Sequence, residues 1–346
     1  MSPAAEPAAQ APAAAIKREV LVLREPQIRS LLDPAACIQA MQRAFVAYAT
    51  GQAQLPPVIN LEVPEHGGEV HIKTGHLSGG SFYAVKIASG FYGHPMPGVP
   101  GSNGMVLVFD SRTGAPAAFL LDNGFITDLR TAAAGALAAK YCARERMEMV
   151  AVVGAGAQAR YQLKMLPLVR TFRQARIWGR NREKAEKCVQ DLAGVAAKSE
   201  FVVANSVQAA VEGADLIITA TASHQPLVRA EWLKPGATVI AVGSDGPDKQ
   251  ELDVGVLARA DRIVADSLPQ CLRLGEIHHA FELGAITKEK VSAELGEIAA
   301  GRKPGRENDQ QLMVCDLTGV GVQDVAAASL VMERALAAQV GEKIAL

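Results

Sequence analysis

The segment Val152-Val153-Gly154-Ala155-Gly156-Ala157-Gln158-Ala159 is the most specific indication of the fold of this chain. It follows an apolar segment and opens a helical pattern, which is the context that makes a glycine motif specific. Gly154 allows a tight turn, Gly156 lets the backbone approach a pyrophosphate, and Ala159 stands where a third glycine is common. A helix that begins here offers unpaired N–H groups and a partial positive charge. We therefore predict a dinucleotide-binding turn, with cofactor contacts from Gly154, Gly156, Ala157 and Gln158.

Downstream of this turn, strand-like and helical segments alternate. Strands are predicted at residues 149–153, 175–178, 201–203, 216–219, 238–242 and 262–264. Crossover connections between successive strands are typical of a parallel, doubly wound sheet. A further strand is expected at residues 312–315 and a closing amphipathic helix at residues 325–339. The pattern predicts an α/β fold with a Rossmann domain.

Upstream of residue 127 the pattern differs. A strand is predicted at residues 20–23, and Asp33-Pro34 is expected to open a helix with Asp33 as its N-cap. Two hairpins follow, one pairing residues 69–77 with 82–92 and one pairing 105–110 with 115–121, which predicts an antiparallel sheet. Thr127-Asp128 is expected to cap an alanine-rich helix.

Composition excludes several classes of function. The 346 residues are enough for two domains, and 35 Lys+Arg against 36 Asp+Glu give a net charge of −1. Such a chain lacks the positive charge for nucleic acid or an anionic membrane surface, and 5% aromatic residues are few for base stacking. No run of about 18 strongly apolar residues predicts a membrane span.

The termini and cysteines give two further expectations. Residues 1–18 are rich in Ala and Pro and are predicted to be a disordered tail. The five cysteines are scattered and form no CxxC, so neither a zinc site nor a disulfide framework is expected. This cysteine usage is typical of a reducing compartment, and we expect a cytoplasmic location.

The choice of cofactor depends on the end of the second predicted strand, Ile177-Trp178-Gly179-Arg180-Asn181-Arg182. No carboxylate follows it to bind the ribose hydroxyls of NAD(H). Arg180 and Arg182 can instead bind a 2′-phosphate by charge-assisted hydrogen bonds, which favours NADP(H). Alternatively both are solvated loop arginines, and Asn181 bonds an unmodified ribose.

Five sequence blocks together resemble the ornithine cyclodeaminase/mu-crystallin family. They are Phe91-Tyr92-Gly93-His94-Pro95, Ile126-Thr127-Asp128-Leu129-Arg130-Thr131-Ala132-Ala133, Val153-Gly154-Ala155-Gly156-Ala157-Gln158, Ala241-Val242-Gly243-Ser244-Asp245-Gly246-Pro247-Asp248-Lys249-Gln250-Glu251-Leu252 and Asp316-Leu317-Thr318-Gly319-Val320-Gly321. The resemblance implies a Rossmann domain at residues 127–321. It also implies an α+β substrate-binding and dimerisation domain at residues 19–126 plus 322–346, and hence a homodimer. Family members include cyclodeaminases, amino-acid dehydrogenases, imino-acid reductases and a hormone-binding lens protein, so the substrate stays open.

Basic side chains are the first candidates for the substrate site. Lys86 lies among apolar residues of a strand, and Arg130 follows the predicted helix start; both match family residues that bind the substrate carboxylate. His71 and Lys73 alternate onto one strand face, and the hairpin brings that strand beside Lys86. We predict that all four bind substrate. A solvated sheet face is the alternative for Lys73.

Asp245 is the leading acid/base candidate. It follows a predicted parallel strand at its carboxyl end, where open α/β sheets bind ligands. A carboxylate there can stabilise an iminium group and relay a proton, although a loop Asp that caps a turn has the same sequence pattern. Lys249 is placed to neutralise Asp245 or the substrate carboxylate. The catalytic set is thus Asp245, Lys86 and Lys249, while Thr127, Gly243, Asp245 and Gly319 are expected to contact the cofactor. No metal site is predicted at His278-His279, because further ligands are absent nearby.

Three functions compete. We favour NAD(P)H-dependent reduction of a small α-imino acid to an L-amino acid. Ornithine cyclodeamination is the alternative, but cyclodeaminases carry an arginine before the first hairpin, and residues 54–58 contain none. A non-catalytic binder would need neither Asp245 nor Lys249. Positive charge from Lys73 and His71, beyond what one carboxylate needs, predicts a dicarboxylic substrate, iminosuccinate.

Overall fold

The structure is a computed structural model, and it describes residues 19–91 and 99–345. The predicted tail at residues 1–18 and part of the Phe91 block, residues 92–95, lie outside the described residues. The first part of the chain contains β1 (Glu19–Arg24), α1 (Glu25–Leu31), α2 (Pro34–Ala49), β2 (Ala53–Gln54), β3 (Ile59–Val63), β4 (Gly68–Leu77), β5 (Phe82–Phe91), β6 (Ser102–Asp110), β7 (Pro116–Leu121) and α3 (Phe125–Cys142).

The second part alternates strands and helices, as the sequence pattern predicts. Its elements are β8 (Arg146–Val153), α4 (Ala157–Met165), β9 (Thr171–Trp178), α5 (Arg182–Asp191), β10 (Glu200–Val203), α6 (Val207–Val211), β11 (Leu216–Thr219), β12 (His224–Val228), β13 (Thr238–Ala241), β14 (Gln250–Leu252), α7 (Val254–Arg259), β15 (Arg262–Ala265), α8 (Leu268–Cys271), α9 (Gly275–Glu282), β16 (Val291–Glu294), α10 (Leu295–Ala299), β17 (Met313–Asp316), α11 (Gly321–Ala338) and β18 (Glu342–Ala345).

The strands of the second part confirm the Rossmann prediction. They form one parallel sheet in the order β10-β9-β8-β11-β13-β17-β15-β16. The predicted strand at 312–315 corresponds to β17, which is inserted between β13 and β15 rather than added at the edge. The edge strand β16 was not predicted, and neither was the small parallel pair of β12 and β14.

The other sheet runs in the order β18-β1-β7-β6-β5-β4-β2, and β3 also pairs with β4. Both predicted hairpins are present, as β4–β5 and β6–β7. The sheet is nevertheless mixed, because β1 lies parallel to β7. Strand β18 was not predicted, because its four residues are all exposed and therefore carry no burial pattern.

Two helix starts test the capping predictions. The α2 prediction is confirmed, because the Asp33 carboxylate accepts a hydrogen bond from the N–H of Ala36 at 2.9 Å. The Thr127-Asp128 cap is wrong: α3 begins at Phe125, after Gly124 in a left-handed conformation with φ of 87°. The carboxylate of Asp122 accepts the N–H of Ile126 at 2.7 Å instead.

Helices α2, α3 and α11 pack between the two sheets. The largest apolar cluster contains side chains from β1, α2, α3, β8 and α11, so one core joins both parts of the chain. A second cluster covers the other face of the parallel sheet. Helix α3 runs without interruption across the expected boundary at residue 127, and the domain division stays a prediction. Within the described residues, no helix is long and apolar enough to cross a membrane.

Candidate active site

A cavity of about 340 Å³ lies where the carboxyl ends of the parallel strands meet the inner face of β4 and β5. Most of the predicted site residues line it: His71, Lys73, Lys86, Thr127, Arg130, Gly156, Ala157, Gln158, Gly243, Asp245, Lys249 and Gly319. Gly154, Arg180, Asn181 and Arg182 are outside this lining. The structure therefore brings together residues from both sheets and from α3 that are far apart in sequence.

Three buried cations lie together on one side of the cavity. Lys73 and Lys86 are directly opposite each other in the β4–β5 pairing, and Arg130 comes from the second turn of α3. Their exposed fractions are 4%, 2% and 3%. The expected adjacency of Lys73 and Lys86 is confirmed, and the alternative of a solvated sheet face for Lys73 is wrong.

A buried carboxylate that sequence reasoning missed pairs with two of these cations. Asp324, in the first turn of α11, accepts from Nε of Arg130 at 2.9 Å, and its other oxygen lies 3.6 Å from Nζ of Lys86. The helix was expected to begin at residue 325, one position after Asp324, whereas it begins at Gly321. Its signal was a charged residue at the edge of an otherwise apolar helical pattern.

Lys73 has a different kind of partner. Its Nζ donates to the carbonyl oxygens of Thr318 at 3.1 Å and Gly319 at 2.7 Å. Gly319 has a φ of +80°, and a Cβ there would lie 2.7 Å from Nη1 of Arg130 and 3.2 Å from Nζ of Lys73. A glycine is therefore needed for the backbone to approach both cations.

Burial sets the charge state of this cluster. It lowers the pKa of Lys86 to about 7; the charge of Asp324 opposes this shift, while Arg130 adds to it. Burial raises the pKa of Asp324, but the adjacent Arg130 and Lys86 outweigh it, so the net pKa lies below the usual value. Asp324 is thus ionised at neutral pH, whereas Lys86 changes charge near neutrality.

The opposite side of the cavity carries an acidic centre. Nζ of Lys249 lies 2.8 Å from Oδ1 of Asp245 and 2.7 Å from Oε1 of Glu69. Burial raises the pKa of Asp245, but Lys249 and His71 outweigh it and hold the pKa well below its usual range. Asp245 therefore remains a carboxylate at neutral pH, which suits it to balance a positive charge more than to donate a proton.

Glu69 was not predicted as a site residue, although it alternates onto the same strand face as His71 and Lys73. Its Oε2 lies 3.5 Å from Nε2 of His71, whose Nδ1 lies 2.9 Å from Oδ1 of Asn60. Every one of the four lysine and arginine cations at the cavity now has a carboxylate or carbonyl partner. The predicted surplus of unpaired positive charge is therefore wrong.

The glycine turn after β8 fits a dinucleotide. Gly154 has a φ of +126°, and a Cβ there would lie 2.5 Å from the carbonyl oxygen of Ala220, so only glycine is tolerated. Gly156 precedes α4 and faces open space, and no side chain of the described residues caps this helix. Its first-turn N–H groups are placed to bind phosphate oxygens. Gln158 donates to Oδ1 of Asp128 at 2.9 Å and ties α4 to α3.

The residues after β9 lie beside this turn, because Trp178 pairs with Val153 at the end of the two strands. Arg180 and Arg182 are both exposed. Nε of Arg182 lies 2.9 Å from Glu186 of its own helix. The side-chain oxygen of Asn181 accepts the N–H of Lys184 at 2.9 Å and caps α5, while its amide nitrogen can donate to a ribose oxygen.

The histidine pair on α9 has a structural contact. Nε2 of His279 lies 2.8 Å from the carbonyl oxygen of Lys249, which holds the loop that carries Asp245 and Lys249. Within residues 19–91 and 99–345, no group of three or more His, Cys, Asp or Glu side chains is arranged to hold a metal ion.

Similarity to known proteins extends over nearly the whole chain. It is 44% identical over 321 residues to a protein of Sinorhizobium fredii named "Uncharacterized cyclodeaminase", covering 91% of this chain and 95% of the relative. It is 38% identical over 328 residues to the alanine dehydrogenase of Archaeoglobus fulgidus, covering 94% of this chain and 98% of the relative.

A solved structure is also similar to this chain over nearly its whole length. The iminosuccinate reductase of Paracoccus denitrificans, determined in complex with NAD⁺, superimposes with a TM-score of 0.86 at 30% identity, covering 95% of this chain and 100% of the other. The model of the ornithine cyclodeaminase/mu-crystallin family matches residues 18–339. This chain therefore belongs to the ornithine cyclodeaminase/mu-crystallin family.

Proposed function

We propose that this protein is an NAD(P)H-dependent reductase that converts a small α-imino acid to the L-amino acid. One observation carries the proposal: a single cavity joins a dinucleotide turn, buried cations for a carboxylate, and an ionised Asp245 for a positively charged nitrogen. The turn would bind the dinucleotide that donates the hydride, the cations would bind the substrate carboxylate, and Asp245 would pair with the iminium group. The alanine dehydrogenase and iminosuccinate reductase relatives support the same reaction class.

The cofactor is a nicotinamide dinucleotide, NADP(H) or NAD(H), whose reduced ring supplies a hydride. The turn and the start of α4 hold its pyrophosphate, and the loop after β9 holds its adenosine ribose. The residues assigned to it are Gly154, Gly156, Ala157, Gln158, Arg180, Asn181, Arg182, Thr127, Gly243, Asp245 and Gly319. The exposed arginines after β9 favour NADP(H), and the relative bound to NAD⁺ favours NAD(H).

The substrate carboxylate is held by Arg130 and Lys86. Both are buried, so charge-assisted hydrogen bonds from them are little weakened by water. Asp324 accepts from Nε of Arg130 and the side-chain oxygen of Gln323 accepts from Nη1 at 3.2 Å, which leaves Nη2 to face a ligand. Lys73, fixed by two carbonyls, forms the wall beside them.

Asp245 stabilises the protonated imine nitrogen. When the adjacent carbon receives a hydride, the nitrogen keeps its proton and the product amine stays paired with the carboxylate. Lys249 holds Asp245 in place and keeps it ionised. Lys86, with a pKa of about 7, is the group we assign to exchange a proton with the substrate nitrogen near neutral pH.

Within the class of small α-imino acids, iminosuccinate is the specific substrate that we propose. His71 lines the cavity beside Lys73, and its buried Nε2, 3.5 Å from Oε2 of Glu69, makes no hydrogen bond to the described residues. A second substrate carboxylate would satisfy it. Ornithine is less favoured, because residues 54–58 contain no arginine of the kind that the resemblance to cyclodeaminases implies before the first hairpin.

A reduced-nicotinamide absorbance assay tests the proposal. We expect net oxidation of NADPH or NADH with pyruvate plus ammonia or with oxaloacetate plus ammonia. If iminosuccinate is the substrate, His71→Asn lowers kcat/KM about 10- to 150-fold for oxaloacetate plus ammonia only, the loss of one charged hydrogen bond. Ammonia released from ornithine without net absorbance change would instead establish a lyase and refute the reductase.

We also propose a homodimer through the outer face of the first sheet. A row of apolar side chains crosses that face in register, Ile59 on β3, Ile72 on β4, Ile87 on β5 and Met105 on β6. Ile59 is 61% exposed and Met105 39% exposed. An apolar sheet face of this kind is typical of a protein interface. It lies opposite the cavity side, so assembly would leave the site open.

A further inference from the structure

Glu251 has no role in the site described above, yet it is 0% exposed. Its carboxylate accepts hydrogen bonds from the hydroxyl of Thr219 at 2.8 Å and from the N–H and hydroxyl of Thr221 at 2.6 and 2.8 Å. It also accepts the N–H of Gly243 at 3.0 Å. Four donors therefore converge on one buried carboxylate.

These donors belong to two neighbouring strand ends. Thr219 is the last residue of β11, and Gly243 follows β13 by two residues. The strands pair in register as far as Thr219 and Ala241, where the ladder ends. Glu251 accepts from backbone N–H groups just past this point and so ties the loop after β11 to the loop after β13.

The segments tied in this way form one wall of the cavity. Residues 220–222 and 242–243, together with Asp245, line it. The order of the sheet reverses direction between β8 and β11, and open α/β sheets bind ligands at such a point. Any movement of these two loops would therefore move Asp245 relative to the dinucleotide turn.

The backbone segments around the Glu251 carboxylate are tightly packed. A Cβ at Gly243 would collide with the carbonyl oxygen of Thr221 and lie 2.7 Å from the carboxyl carbon of Glu251. On the other side, Gly154 packs against the carbonyl oxygen of Ala220. The glycine turn therefore packs against the loop after β11, and that loop packs against the loop after β13. The Glu251 carboxylate accepts hydrogen bonds from both of these loops.

We propose that Glu251 is a positioning residue, which fixes the distance between the loops after β11 and β13 and thereby the place of the bound dinucleotide relative to Asp245. This inference rests on the proposed dinucleotide site but not on any particular substrate. A carboxylate is needed, because both of its oxygens accept a backbone N–H. A glutamine has one accepting oxygen, and its NH₂ group would oppose either the N–H of Thr221 or that of Gly243.

The test compares Glu251→Gln with Asp215→Asn. Asp215 is a matched control because its carboxylate is also buried and accepts two backbone N–H groups, but these are the N–H groups of Glu148 and Met149 and not those of the loops after β11 and β13. NADH and NADPH binding is measured by fluorescence titration without substrate, alongside thermal unfolding. We expect Glu251→Gln to weaken dinucleotide binding about 10-fold and Asp215→Asn to lower the melting temperature without this loss.

A second variant covers the case in which Glu251→Gln fails to fold. Thr219→Val removes one donor to the Glu251 carboxylate, keeps the shape and all charges, and lies outside the cavity lining, so we expect a smaller weakening of dinucleotide binding in the same direction. Unchanged affinity in Glu251→Gln and Thr219→Val would overturn the inference, and so would equal weakening in Glu251→Gln and Asp215→Asn. Because binding is measured without substrate, a protein that binds dinucleotide but reduces no imino acid refutes the proposed reaction alone.

Discussion

Replacement of Asp324 by asparagine removes the carboxylate that faces two buried cations. Its oxygens lie 2.9 Å from Nε of Arg130 and 3.6 Å from Nζ of Lys86, and it is 1% exposed. Asparagine keeps the shape and a hydrogen bond to Arg130 but no charge. We expect a less stable protein in which Lys86 loses its proton at a lower pH.

The magnitude follows from burial. Opposite unit charges about 4 Å apart attract by about 4 kcal/mol at an effective dielectric constant of about 20. Removal of one member of a buried pair costs about 3–5 kcal/mol, a large part of a typical unfolding free energy of about 5–15 kcal/mol. Because the charge of Asp324 raises the pKa of Lys86, its loss moves that pKa below about 7, by about one unit for each 1.4 kcal/mol of lost interaction.

Two measurements check this reasoning. The pH profile of kcat/KM should fall as the pH rises through the pKa of Lys86, and this limb should move to lower pH in Asp324→Asn. The melting temperature of Asp324→Asn should be lower than that of the wild type. Pyruvate should raise the melting temperature more in the variant than in the wild type, because the ligand carboxylate replaces the missing negative charge.

Asp215→Asn is the matched control. Asp215 is a buried carboxylate paired with Lys234 at 2.6 Å and Arg144 at 3.2 Å, and it does not line the cavity. Its loss should lower the melting temperature and leave the pH profile in place. An unchanged pH limb in Asp324→Asn, or the same shift in Asp215→Asn, would refute the assignment of the limb to Lys86.

Three further outcomes are expected. Arg180→Ala with Arg182→Ala should raise KM for NADPH much more than for NADH; equal effects would make both arginines surface residues and remove the argument for NADP(H). Ile59→Lys should convert the proposed dimer to a monomer by light scattering, and a wild type that is already monomeric at micromolar concentration would contradict the interface. The folded pKa of Lys86, about 7, lies below its ordinary value of 10.5, so the unfolded chain binds more protons between these values. The contribution of Lys86 to the unfolding free energy should therefore rise with pH across this window and vanish in Lys86→Met.

Local patterns in the sequence determined much of the architecture. Alternating apolar runs predicted the parallel strands, β11 with the bounds that the structure has, and the hairpin turns predicted the pairing of β4 with β5. The glycine turn at Gly154 was predictable because its backbone conformation excludes other residues. Asp33 was predictable as a cap because its hydrogen bond spans only three residues.

The sequence also determined which chemical groups take part, because Lys86, Arg130, Asp245 and Lys249 stand out as charges in apolar or loop contexts. The pairing of Asp245 with Lys249 was predictable, since the two residues are four positions apart. Whether NADP(H) or NAD(H) is preferred stays a prediction, because exposed arginines carry no burial pattern.

The partners that balance these charges come together only when the chain folds. Arg130 meets Asp324 across 194 positions, and Lys249 meets Glu69 across 180, distances over which no periodicity carries information. The partners of Lys73 are backbone carbonyls, which look alike at every position of a sequence. Burial then sets the pKa of Lys86, and burial is a property of the packed chain. The sequence therefore determined which groups are present, whereas packing determined which of them are charged, because charge in a low-dielectric interior depends on neighbours brought together by folding.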